Sequence, residues 1–240
     1  MNLTIEIIAV LCAFIIKGMC GFANTLIFGT IMSFAANNIN ITPMELLVGY
    51  PSNIYIVWKE RKEISPKVCI PLALLVLAGI IPGMLFLKHG NAGFLKVLFG
   101  LVVILSGIDL LLREKRNKAG KQSKLALAFI GVISGIFCGL FGVGALLVAY
   151  ISRTTENQRQ FRGNICAVFL IENTFRIILY SLTGIFSLAI FRHALLLLPF
   201  MFLGLIVGGY LSGKTGEKRI RRIVIILLIL SGISLILTNL

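Results

Sequence analysis

Charge is scarce in this chain, and negative charge is scarcer still: 13% of 240 residues are charged, nine of them acidic against 23 basic. A soluble domain of this size could not cover its surface from such a supply. Histidine occurs twice, and the five cysteines (Cys12, Cys20, Cys69, Cys138, Cys166) show no CxxC spacing, so neither a zinc site nor a disulfide framework is indicated. There is no P-loop, no HExxH and no defensible Ser-His-Asp set, which argues against nucleotide-driven pumping and against an enzyme. No cofactor and no metal are expected.

What the chain has in abundance is apolar sequence. Hydrophobic residues make up 58% of it, and its mean hydropathy is +0.99. Residues 125–150 run 26 positions without a charge and residues 194–212 run 19, each long enough to cross a bilayer. The start does not resemble a removable signal peptide, since it carries Glu6 in place of a basic region and flows into the next apolar stretch. The formal charge of +14 would suggest nucleic acid in a soluble protein. Here the cations sit in short loops between apolar segments, where they orient the chain in the membrane and attract anionic lipid. No nucleic-acid partner is expected.

The chain also repeats itself. Gly18-Met-Cys-Gly21-Phe recurs 121 residues later as Gly139-Leu-Phe-Gly142-Val. At an offset of 125, Gly79-Ile-Ile-Pro-Gly83 matches Gly204-Leu-Ile-Val-Gly208, and Ile104-Leu-Ser-Gly-Ile108 matches Ile229-Leu-Ser-Gly-Ile233. Each half parses as a glycine-broken stretch (4–35 and 125–151) followed by three apolar segments: 42–58, 68–87 and 94–112, then 163–183, 190–212 and 221–238. The predicted fold is an all-α, polytopic integral membrane protein. Its units are a first membrane repeat over 1–112, a basic cytoplasmic linker over 113–124 and a second repeat over 125–240.

Positive charge decides whether each broken stretch crosses once or returns as a hairpin. If both are hairpins and 113–124 is cytoplasmic, the cytoplasmic loops hold eighteen of the 23 basic residues, and only Lys88, Lys96 and Arg192 fall outside. Single crossings would leave eleven inside against ten outside, with no bias. The positive-inside rule therefore favours hairpins. A hairpin and three crossings carry the chain across an odd number of times, so the repeats should be inverted and both termini should lie outside the cytoplasm. Inverted repeats with broken helices at equivalent places are how many secondary transporters build a midplane site.

The candidate substrate-binding residues are Lys17, Gly18, Gly21, Asn24, Asn53, Gly139, Gly142, Gly144, Asn173 and Arg176. Glycine permits a turn at depth, and a restarted helix offers unpaired N–H groups to an anion. The same glycines could instead serve close helix packing. Lys17 is an intramembrane cation beside the first break, where Cys138 stands in the second half; snorkelling to an interface is its other reading. Glu172 and Arg176, four apart, can pair on one helical face, either as a structural pair or as the carboxylate of a proton-coupled carrier. Asn53 and Asn173 offer one amide from each half, to an oxyanion or to a neighbouring helix.

Together these features resemble the sulfite exporter TauE/SafE family of bacterial membrane proteins. The resemblance rests on the broken first segment of each half, its G-x-x-G-F/V context, the Pro-Ser-Asn53 stretch ending Trp-Lys-Glu-Arg-Lys62, and the Gly-x-x-x-Gly before a last apolar span. It covers nearly the whole chain and implies an inner-membrane permease for small anions such as sulfite, sulfoacetate or sulfonates. Members often carry a proline several residues after each break; here neither half has one. A membrane-embedded enzyme or a scaffold is the competing expectation.

Overall fold

The computed structural model describes residues 3–34, 38–89, 91–113, 124–155 and 157–212, with seven further helical positions between 225 and 237. Residues 114–123, the core of the expected cytoplasmic linker, and most of the 221–238 segment lie outside the described residues.

Every described element is helical: α1 (Leu3–Cys20), α2 (Asn24–Ser33), α3 (Asn38–Lys59), α4 (Pro66–His89), α5 (Ala92–Arg113), α6 (Lys124–Phe141), α7 (Ala145–Thr154), α8 (Gln158–Leu182) and α9 (Leu188–Ser212). Pro66–Leu87, Arg159–Leu182 and Leu188–Leu211 are long and apolar enough to cross a membrane. The ten-residue α2 and α7 measure about 15 Å, half a hydrocarbon core of about 30 Å. They are half-helices. Large apolar side chains such as Leu74, Phe129, Leu188, Ile206 and Tyr210 are exposed, as lipid-facing surfaces should be.

Two parallel helix pairs frame the molecule. In one, Gly204 of α9 faces Leu11 and Phe14 of α1, and Gly208 faces Ile15 and Gly18. In the other, Gly79 of α4 faces Gly135 of α6, and Gly83 faces Gly139. A β-carbon on Gly139 would stand 2.6 Å from the Ile80 carbonyl, so only glycine lets these backbones approach. The pairings exchange halves: the broken stretch of each half packs on a helix of the other. Between them α3 and α8 run antiparallel, since Tyr50 meets Thr174 at 2.9 Å while Gly163 lies against Glu60. Gly232 packs on Gly100 and Ile104 of α5.

Candidate functional site

The first break begins where α1 ends. Gly21 (φ 85°) and Ala23 (φ 74°) both adopt the left-handed region, which reverses the chain before α2 restarts at Asn24. The second break turns at Gly142 (φ 71°), and α7 restarts after Gly144. The first intrahelical bond beyond each break runs from Ile27 to Ala23 (3.2 Å) and from Val148 to Gly144 (3.0 Å). Three N–H groups before each of those bonds have no acceptor in their own helix. The N-cap residues of the two restarts, Ala23 and Gly144, have no side-chain group that could cap them.

The carbonyl ends are treated differently. Arg162 donates through a terminal guanidinium nitrogen to Gly18 O at 2.6 Å, and Cys166 Sγ approaches Gly21 O at 3.7 Å. At the other break the Tyr180 hydroxyl donates to Gly139 O at 3.1 Å, Thr42 Oγ1 to Leu140 O at 3.4 Å and Cys138 Sγ to Val143 O at 3.6 Å. The negative ends of the broken helices are thus met by α3, α6 and α8, while the N-cap residues at the positive ends bring no capping side chain of their own. That leaves a field suited to an anion.

Four buried charges gather at the same place. Lys17 is 1% exposed, and its Nζ donates to Asn53 Oδ1 at 2.7 Å. Its ammonium is thus met by a protein amide and shielded from solvent. Arg176, also 1% exposed, lies 3.8 Å from Glu172, donates to Asn173 Oδ1 at 3.4 Å and to the Tyr180 hydroxyl at 3.2 Å. Glu45 accepts from the Asn24 side chain and from Thr25, and it lies in the field of both Lys17 and Arg176. Thr25, in the first turn of α2, lies against Gly142: a β-carbon there would be 3.0 Å from Thr25 Cγ2 and 3.2 Å from an Arg176 nitrogen. One break therefore touches the other.

The structure sorts the glycines named from sequence. Gly21 and Gly142 make the turns, whereas Gly18 and Gly139 are helical and serve the packing against α9 and α4. Gly144 packs against the Phe169 ring. Lys17 meets Asn53, Asn24 meets Glu45, and Gly139, Gly142, Glu172 and Asn173 surround Arg176 or its partner Tyr180. The sequence did not single out Glu45, Arg162, Thr25, Thr42 or Tyr180. For Glu45 the signal was available, since an acidic residue inside an apolar segment of so acid-poor a chain is a functional candidate by default.

Glu6, fully buried, and His193, part-exposed, form a separate contact at 2.7 Å between α1 and α9. Among the described residues no group of three or more His, Cys, Asp or Glu is placed to hold a metal. The family model for the sulfite exporter TauE/SafE matches residues 6–235. No curated protein and no solved structure matches the chain.

Proposed function

Because the chain belongs to the sulfite exporter TauE/SafE family of membrane transporters, we propose that it is a secondary transporter of small anions with one midplane site between two inverted halves. The observation that carries this reading is the meeting of the two breaks, Thr25 against Gly142, among Lys17, Arg176, Glu45 and Glu172. Intramembrane charge costs a few kcal/mol per group, and irregular backbone at depth is tolerated where it is buried or lines a cavity. A scaffold has no use for both at one point. A sulfite or sulfonate oxygen would take the open N–H groups of α2 or α7, with Asn24, Asn53 and Asn173 as further donors once their present partners yield. Lys17 and Arg176 would supply the positive potential.

The reciprocal pairing of α1 with α9 and α4 with α6 supports alternating access, since each broken stretch can rock with a helix of the opposite half. In this arrangement residues 113–124 face the cytoplasm, both ends of the sequence lie on the opposite side of the cell membrane, and the basic loops contact anionic lipid. Uptake of labelled sulfite, sulfoacetate and methanesulfonate into proteoliposomes tests the function. At least one should enter saturably and be competed by its unlabelled form; rates equal to protein-free vesicles for all three would overturn it.

A further inference from the structure

The carboxylates of Glu45 and Glu172 are held very unequally. Glu45 is 5% exposed, accepts from Asn24 and Thr25, and has both cations near it. Glu172 is 1% exposed, and among the described residues its one close partner is Arg176 at 3.8 Å, beyond hydrogen-bond distance. Its Oε2 is buried with no hydrogen-bond partner among the described residues, and so is Nε of Arg176. A buried ionised oxygen without a donor is costly, and a proton on it removes most of that cost. Among the described residues, the titratable or charged groups around Glu172 are Arg176 and Tyr180 on its own helix, Glu45 on α3, Cys138 on α6 and, through Glu45, Lys17 on α1.

Resting on the anion-carrier reading above, we propose that Glu172 is the proton-binding site of the cycle and that the protein moves one proton with each monoanion. With all four groups ionised, Lys17 and Arg176 balance Glu45 and Glu172. A monoanion alone would leave the buried cluster one charge negative, and a proton alone would leave it one charge positive. Only the empty cluster and the cluster holding both are neutral. Uncompensated buried charge is the heavily penalised state, so the helices move in those two conditions and the two fluxes are coupled.

The step is simple. The Glu172 carboxylate takes a proton on Oε2 and becomes a neutral acid, and its claim on Arg176 lapses. The guanidinium, with Nε already unpartnered, then receives the anion's oxygen. On the far side the anion leaves, Arg176 returns to the carboxylate, and the proton departs from Oε2. No charge crosses the membrane in net, so the cycle follows a pH gradient and ignores membrane potential.

The test uses the full chain in proteoliposomes, with the potential clamped by potassium and valinomycin and a pH dye in the lumen. Methanesulfonate is the probe because it carries no proton of its own near neutrality. The proposal predicts one proton entering per anion, at a rate independent of the clamped potential. A tenfold proton gradient should sustain about a tenfold anion gradient. Glu172→Gln should fail to accumulate methanesulfonate on a pH gradient, whatever exchange it retains. Net methanesulfonate uptake by the wild type without proton entry overturns the proposal, whatever the variant's folded yield, and so does gradient-driven accumulation by Glu172→Gln. No exchange of methanesulfonate, sulfite or sulfoacetate by the wild type removes the carrier reading itself and this inference with it.

Discussion

The ammonium of Lys17 rests 2.7 Å from the side-chain oxygen of Asn53, tying the last turn of α1 to the middle of α3 in a place almost closed to solvent. A single contact thus joins the first break to α3, the helix whose Thr42 reaches Leu140 O at the second break. The arrangement makes Asn53 the neutral seat of a charge whose electrostatic balance comes from Glu45.

Lys17→Gln should therefore reduce anion flux at least tenfold while leaving most of the folded protein, because an amide can still reach toward Asn53. Asn53→Leu should do worse, leaving a buried ammonium without its acceptor at a cost of about 1–3 kcal/mol or more. The check is flux normalised to the monodisperse peak of detergent-purified protein. Wild-type transport by Lys17→Gln would leave the positive potential of the anion site to Arg176.

The packing glycines should behave differently from the turning ones. Gly83→Val and Gly208→Val each drive a side chain into a backbone carbonyl of the facing helix, Ile136 for the first and Ile15 for the second. Overpacking of that kind costs about 1–3 kcal/mol or more, so folded yield and thermal stability should fall together. What folds should transport at the normal rate per molecule. Equal stability to wild type in both variants would mean that the two parallel pairs are not packed as described.

Much of the fold is legible in the sequence because a bilayer writes its thickness into the chain. The apolar segments 42–58, 68–87 and 94–112 correspond to α3, α4 and α5, and 163–183 and 190–212 to α8 and α9. The breaks are legible because a left-handed turn calls for glycine and the chain supplies it twice at one offset. Even so, Ala23 takes the same conformation without being glycine, and no residue pattern marks it. The cross-helix partners are not legible. Asn24 and Glu45 are 21 residues apart, and Gly18 and Arg162 are 144 apart; a single sequence carries no record of which faces meet. Arg162 reads as a loop cation because of where the charges cluster, yet α8 begins four residues earlier and lays it across the first break.

Sidedness offers an independent test of the inverted arrangement. Cysteine labelling in a background lacking the native five should find residues 113–124 and the 59–67, 153–162 and 213–222 loops reactive from the cytoplasm. Residues near both ends of the chain should react from the other side. A final segment labelled from the cytoplasm would remove the inversion and the equivalence of the two breaks.

The central claim is that both breaks serve one anion path, and exchange through the turning glycines tests it most directly. A side chain on Gly21 adds left-handed strain of about 1–2 kcal/mol and places its β-carbon 2.6 Å from Arg162; on Gly142 it meets Thr25 and Arg176. Counterflow of labelled methanesulfonate should be measured in proteoliposomes holding wild type, Gly21→Leu or Gly142→Leu, at matched amounts of monodisperse protein. The account predicts saturable exchange in the wild type and at least a tenfold loss in each variant. Wild-type exchange in both variants would contradict it, leaving the glycines as ordinary packing residues and the anion path elsewhere.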